Sequence, residues 1–339
     1  MPTDQTTGQT TGQSINLSIN VVTDRIQQLK KDRKALVLAH FYEDGEIQDV
    51  ADFVGDSLQL AQHGSRSQAE VILLAGVVFM AESVKLLSPE KTVLIPDRGA
   101  GCSLVDHSPY HRYLSWREQY PDALAVTYVN SSAEVKSITD VCVTSSNAEK
   151  VIRAIPANRR ILFGPDRNLG HYLSKKLGRE MILYPGSCEV HVLFSAKKLF
   201  ELRERHPKAR VLAHPECDEA VLKYADVIGS TARLLEEVKN AKDIGEFIVA
   251  TEDGIFHQMR KARPDVKLVQ APAEGSCACN QCPYMKMNTL EKIASALESL
   301  EPCVSIEPKL AEHARLSLDR MMAITEGRSV TWPDHFTAH

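Results

Sequence analysis

The chain lacks any apolar run long enough to cross a bilayer: the longest, Val71 to Ala81, is about eleven residues where roughly twenty are needed. It reads instead as a buried strand running into a helix. The chain also lacks a basic excess. Forty Lys and Arg stand against 44 Asp and Glu, a formal charge of −4, and nothing in that balance neutralises a phosphate backbone. This argues against nucleic acid as a partner and leaves small polar substrates. A secretory signal is missing too, because MPTDQTTGQTTGQSINLS has neither a basic n-region nor an apolar h-region. Its Thr, Gln, Gly and Ser predict a disordered tail over 1–20. Without secretion, the eight cysteines read as reduced thiols or metal ligands in a reducing cytoplasm rather than as a disulfide framework.

What is present is a globular composition, 339 residues with 43% hydrophobic, enough for two or three domains. A repeat organises them. LVLAHFYEDGEIQDVADFVGDSLQLA from Leu36, LAVTYVNSSAEVKSITDVCVTSSNAE from Leu124 and RVLAHPECDEAVLKYADVIGSTARLL from Arg210 align without gaps over their first twenty residues, their starts 88 and 86 residues apart. Each opens with an aliphatic run and passes through a helical stretch to an Asp (Asp52, Asp140, Asp226). A second apolar run follows, and five residues past the Asp stands a hydroxyl: Ser57, Ser145 or Thr231. A helical pattern comes next in every copy, which puts these hydroxyls at or beside an N-cap. Third strands follow at VILLAG, ILFG and FIVAT, and fourth strands at TVLIP, MILYP and KLVQA.

Strands alternating with short helices predict parallel sheets covered on both faces, hence an α/β chain of three three-layer αβα domains around a pseudo-threefold axis. The expected boundaries are 21–112, 113–200 and 201–290, with a C-terminal helical extension over 291–339.

In open parallel sheets, ligands bind beyond the carboxyl ends of the strands. That rule selects His40, Tyr128 and His214 at the end of strand one, and Tyr42, Asn130 and Glu216 two positions later. Ser57, Ser145 and Thr231 stand at the end of strand two. A hydroxyl opening a helix suits an anion, so three of them around one cavity suit a substrate with several carboxylates or a phosphate. The histidines, Tyr128 and Glu216 are the groups able to move protons.

Beyond strand four, each unit reaches Gly-Cys or Gly-x-Cys, at Cys102, at Cys188 and in EGSCACNQCPYMKMN, which holds Cys277, Cys279 and Cys282. The Cys279 and Cys282 pair fits zinc, an iron-sulfur cluster or a redox dithiol on spacing alone. No second nearby pair completes a structural zinc site, and the Cys282-Pro283 step hints at iron and sulfur. One cysteine per domain would leave a 4Fe-4S cluster three protein ligands and an open iron. Counting from the shared Asp favours Cys277, at 51 residues against 50 and 48 for Cys102 and Cys188, and the third ligand stays open on this basis. Cys142, Cys217 and Cys303 read as buried or incidental thiols.

At these residues the chain resembles the quinolinate synthase (NadA) family, from about Val22 to the C-terminal helices. The motifs are AHFY, VADFVGDSL, YVNSSAEVK, CVTSSNA, GPDRNLG, PGSCEVH, HPEC, GST, TEDGIFHQM and CPYMKMN. The resemblance implies a 4Fe-4S cluster held by Cys102, Cys188 and, against the count, Cys282. It implies condensation of iminoaspartate with dihydroxyacetone phosphate to quinolinate in NAD biosynthesis. His40, Tyr42, Tyr128, Asn130, His214 and Glu216 match the family's active-site positions, and Ser57, Ser145 and Thr231 its anion-binding ones. His191 is a candidate to orient Cys188. An L-aspartate oxidase or aspartate dehydrogenase is the implied source of iminoaspartate. Cys277 and Cys279 are spare thiols, able to form a disulfide. The competing expectations are another iron-sulfur hydro-lyase acting on a polycarboxylate and a zinc-stabilised binding module.

Overall fold

The computed structural model describes residues 9–275 and 280–336. Helix α1 (Gln9–Asp32) leads into β1 (Ala35–His40), α2 (Gly45–Val50), β2 (Phe53–Gly55), α3 (Ser57–Arg66), β3 (Val71–Ala75), α4 (Val78–Leu87), β4 (Thr92–Leu94) and α5 (Ser103–His107). The second unit is α6 (Tyr110–Glu118), β5 (Leu124–Tyr128), α7 (Ala133–Ser137), β6 (Val141–Val143), α8 (Ala148–Ala154), β7 (Ile161–Gly164), α9 (Arg167–Leu177) and β8 (Ile182–Leu183). The third is α10 (Ala196–Arg205), β9 (Arg210–Ala213), α11 (Glu219–Leu222), β10 (Val227–Ile228), α12 (Thr231–Asn240), β11 (Glu246–Ala250), α13 (Ile255–Ala262) and β12 (Lys267–Gln270). Helices α14 (Leu290–Ser299) and α15 (Pro308–Thr325) close the described chain.

Helix α1 starts inside the stretch expected to be a disordered tail. Residues 9–20 are helical, and 1–8 lie outside the described residues. The apolar spacing Ile15, Ile19, Val22, Ile26 keeps a helical period through that polar stretch, a signal that bulk composition hides. Among the described residues no helix is long and apolar enough to cross a membrane.

Three four-stranded sheets result, in orders β2-β1-β3-β4, β6-β5-β7-β8 and β10-β9-β11-β12, all strand pairs parallel. Strands such as VILLA and ILFG are apolar throughout because both faces are covered, and every residue of each is buried. In β1, Val37 and Ala39 face a cluster with Ile26 of α1 and Ile293 and Leu297 of α14, while Leu38 faces the other way. That second face joins a core running through the second sheet to Leu318 and Met321 of α15, so α15 clamps the first two units together. The third sheet has separate cores on its two faces, Val211 and Ile248 with Leu199 on one, Leu212 and Phe247 with Leu234 and Met259 on the other.

The shared Asp explains itself in the structure. Asp52, Asp140 and Asp226 each accept, through Oδ2, the backbone N–H of Val37, Ala125 and Val211 in the first strand of their unit, at 2.8, 2.7 and 2.7 Å. Each also pairs with a cation from the helix that feeds that strand: Lys30 at 2.7 Å, Arg117 at 2.6 Å and Arg203 at 3.1 Å. The repeated carboxylate therefore satisfies an N–H at the start of a strand and latches the incoming helix to it.

Candidate active site

The carboxyl ends of the three sheets converge on one cavity, lined by residues of all three units. His40, Tyr42, Ser57, Cys102, Tyr128, Asn130, Ser145, Cys188, His191, His214, Glu216, Thr231 and Cys282 all reach it. Cys277 and Cys279 lie outside the described residues.

The hydroxyls stand beside the caps rather than serving as caps. Asp56 caps α3 by accepting from Gln59 N, and Ser230 caps α12 by accepting from Arg233 N. Ser57 and Thr231 are thus the first helical residues and both line the cavity, where Thr231 Oγ1 lies 3.1 Å from Tyr42 Oη. Ser145 precedes Asn147, the residue at the start of α8. Ser146 ties the units together, since its Oγ lies 2.5 Å from Asp56 Oδ2 and 2.8 Å from Ser230 Oγ. Burial pushes the Asp56 carboxyl above its usual range.

At the strand-one ends the turn fixes the imidazoles. Tyr42 N donates to His40 Nδ1 at 3.2 Å and Glu216 N to His214 Nδ1 at 3.4 Å. An accepting Nδ1 leaves the proton of a neutral ring on Nε2, and His214 Nε2 lies 3.3 Å from Ser145 Oγ. Desolvation by burial lowers both pKa values from 6.5 to about 3, so the rings are neutral donors at physiological pH.

Tyr128, the third member of that column, donates to Glu216 Oε1 at 2.5 Å. Burial and the Glu216 charge push the phenol well above its usual pKa and keep it protonated. Burial alone would raise the Glu216 carboxyl. The facing His214 and His191 rings, with hydrogen bonds from His191 and Tyr128, outweigh it and hold Glu216 ionised. His191 Nδ1 lies 2.9 Å from Glu216 Oε2 and 3.1 Å from Cys188 Sγ. Its Nε2 lies 2.9 Å from Thr251 Oγ1, which in turn is 2.7 Å from Tyr42 Oη. A hydrogen-bonded chain thus crosses the cavity from Tyr42 to Tyr128. The Asn130 side-chain oxygen is buried without a partner among the described residues, an acceptor open to a ligand.

Each cavity cysteine sits at a turn whose backbone N–H groups point at its sulfur: Leu104 and Val105 at Cys102, His191 at Cys188, Met285 and Tyr284 at Cys282. Burial raises all three thiols, Cys102 to about 12 and Cys282 to about 11. Cys188, His191 and Glu216 bring ligand atoms within 4.8 Å of one another, a group able to hold a single metal ion. Cys142 and Cys217 are fully buried, bonded to Ser317 Oγ and the Ala250 carbonyl, and Cys303 is half-buried.

Sequence reasoning missed Thr251, Asp56, Ser146 and Ser230, as well as two buried carboxylates, Asp166 and Glu252. The last two stand 86 residues apart, the same offset as Leu124 and Arg210, so carrying the repeat alignment through strand three finds them.

Comparison with known proteins places these residues in a family. The family model described as NadA, quinolinate synthetase A protein, matches residues 24–323. The chain is 48% identical over 304 residues to the quinolinate synthase of Chloroherpeton thalassium, covering 89% of this chain and 94% of that one. It is 47% identical over 301 residues to the quinolinate synthase of Microcystis aeruginosa, covering 88% and 94%. It is 47% identical over 300 residues to that of Cyanophora paradoxa, covering 88% and 91%.

Proposed function

The chain belongs to the quinolinate synthetase A family, and on that premise we propose that it condenses iminoaspartate with dihydroxyacetone phosphate to quinolinate, releasing phosphate and two waters. The observation that carries this reading is the meeting, in one cavity, of three cysteines from three repeats with the Tyr128–Glu216 pair.

A 4Fe-4S cluster fits this donor set. Cys102, Cys188 and Cys282 come from three separate loops, are partly buried and meet backbone N–H donors suited to thiolate charge. Those three residues would hold it. Once bound, such a cluster with one iron free of protein ligands supplies a Lewis acid for a substrate oxygen.

The chain's own groups supply the rest. The two substrates bring two carboxylates and a phosphate, and the cavity offers the hydroxyls of Ser57, Ser145 and Thr231 and the Nε2–H groups of His40 and His214. Neutral imidazoles donate hydrogen bonds without trapping an anion by charge. Glu216, ionised and 2.5 Å from the Tyr128 hydroxyl, takes a proton from the carbon skeleton, and Tyr128 returns one to a departing hydroxyl. Tyr42, linked through Thr251 to His191 and Glu216, lets protons redistribute inside the site. Because an imine hydrolyses in water, an enzyme that oxidises aspartate has to supply that substrate.

The test is anaerobic purification with iron, sulfide and zinc analysis, paired with an assay of quinolinate formation from the two substrates. The expected protein is brown and active, and Cys102→Ser, Cys188→Ser and Cys282→Ser each lose the iron while Cys277→Ser keeps it. Equal iron loss in the Cys277 and Cys282 variants overturns the assignment of Cys282, rather than Cys277, as the third ligand. A colourless protein with one zinc per chain replaces this reading with a single-ion site at Cys188, His191 and Glu216. A brown protein that forms no quinolinate points to another hydro-lyase.

A further inference from the structure

The third strands of the second and third units end in the same place and continue into the same contact. Gly164 pairs with Thr127 and Ala250 with Ala213, so Asp166 and Glu252, each two residues on, occupy equivalent positions. Both are fully buried. Asp166 Oδ1 accepts from Leu169 N at 2.7 Å, and its Oδ2 accepts from Cys188 N at 3.2 Å. Glu252 Oε2 accepts from Gly254 N at 2.7 Å, and its Oε1 accepts from Cys282 N at 3.3 Å. Each carboxylate spends one oxygen on its own turn and the other on the backbone of one cysteine.

Glycines make both approaches possible. At Gly186, in the loop carrying Cys188, an added Cβ would lie 2.5 Å from the Pro165 carbonyl oxygen; at Gly254 it would lie 2.9 Å from Glu252 Oε2. On the third-unit side, Lys286 extends the contact, with Nζ 2.9 Å from the Tyr42 carbonyl, 2.8 Å from Asp44 and 3.4 Å from Glu252 Oε1. The loop of Cys282 is thereby tied to the loop of Tyr42. The first unit has no counterpart. Ala39 pairs with Ala75, which puts Val77 at the equivalent position, and a valine side chain accepts no hydrogen bond.

We propose that Asp166 and Glu252 are positioning residues, each orienting one cysteine of the cavity, Cys188 and Cys282 respectively, while Cys102 is set by its own helix turn alone. The inference rests on the proposed function for its purpose, since oriented thiols matter because they hold a cluster, but its geometry stands without one. An amide cannot replace either carboxylate. Asn or Gln keeps a single acceptor oxygen, and its NH₂ would face the second N–H.

The experiment measures, in the metal-free full chain, the rate at which a small alkylating reagent labels each cysteine, read by peptide mass spectrometry for wild type, Asp166→Asn and Glu252→Gln. The same variants are then reconstituted, and the electron paramagnetic resonance of the reduced cluster and the rate of iron release to a chelator are recorded. Asp166→Asn is expected to speed labelling of Cys188 about tenfold, the equivalent of one lost hydrogen bond, with Cys102 and Cys282 unchanged. Glu252→Gln is expected to do the same at Cys282 alone. In the reconstituted variants the resonance shifts and iron leaves faster.

Unchanged labelling, or a uniform rise at all three cysteines, overturns the proposal. If one variant fails to fold, the other carries the same test with the opposite selectivity. A wild-type chain that assembles no cluster refutes the proposed cofactor while leaving the labelling pattern to decide the positioning roles.

Discussion

The two ends of the first strand teach opposite lessons. At its start, all three units carry the same residue in the same contact, an Asp accepting a backbone N–H at 2.7–2.8 Å and pairing with a cation from the preceding helix. At its end, the three units share a geometry and differ in chemistry: two imidazoles fixed by a backbone N–H, and one phenol bonded to a carboxylate. Identity at one end holds each sheet to its helix. Divergence at the other gives three nearly equivalent positions different hydrogen-bonding groups facing one cavity.

If the divergent end does the chemistry, the largest effect belongs to Glu216. Glu216→Gln removes the ionised partner of Tyr128, and quinolinate formation should fall about 10²–10⁴-fold while the circular dichroism spectrum is retained. The identical end should answer in stability, unequally among the copies. Arg117 is 1% exposed against Asp140, so Arg117→Ala leaves a buried carboxylate unpaired and should cost about 3–5 kcal/mol in urea unfolding. Arg203 and Asp226 are 39% and 34% exposed, and Arg203→Ala should cost within about 1 kcal/mol because solvent screens the pair. Equal losses would show that the latch does not depend on burial.

Acid should separate the imidazole copies from the phenol copy. His40 and His214 titrate at about 3 when folded against 6.5 for the free side chain. Between those values the unfolded chain binds the extra protons, so the stability is complete above pH 6.5 and is lost as pH falls toward 3. Each ring contributes up to about 1.4 kcal/mol per pH unit in that window. Unfolding of metal-free His214→Asn at pH 4–6.5 should show a shallower slope than wild type, whereas Tyr128→Phe should leave it unchanged. The smallest effect is expected at a single hydroxyl: Ser145→Ala should raise KM about tenfold with little change in kcat, as the loss of one hydrogen bond to a charged group.

The strand pattern was legible because both faces of these parallel sheets are covered, which makes runs such as VILLA and ILFG apolar without interruption. The strand-end column was legible for the same reason: an abrupt switch from apolar to His or Tyr marks where a strand leaves the core. Strand order could not be read, since nothing in a parallel strand's composition says which neighbour lies on which edge. Counting from the shared Asp cannot choose between Cys277 and Cys282, because loops after the fourth strand differ in length between units. A backbone N–H meeting a carboxylate, as at Cys188 and Cys282, does not depend on that length. Thr251 escaped notice because its role is set by what it touches in other units, Tyr42 and His191, and no spacing within one unit encodes that.

Every sheet is completed by a contiguous stretch of chain, four consecutive strands with none exchanged between units. The cavity, in contrast, belongs to no unit. A chain whose three sheets have formed but docked wrongly would carry native secondary structure and no binding site. Whatever binds the cavity therefore acts as glue between units. By mass action it favours only the correctly assembled arrangement, stabilising it as RT ln(1 + [L]/Kd) while leaving each sheet on its own unaffected. Substrate affinity in this protein is thus also a readout of assembly, and a ligand added during refolding selects for it.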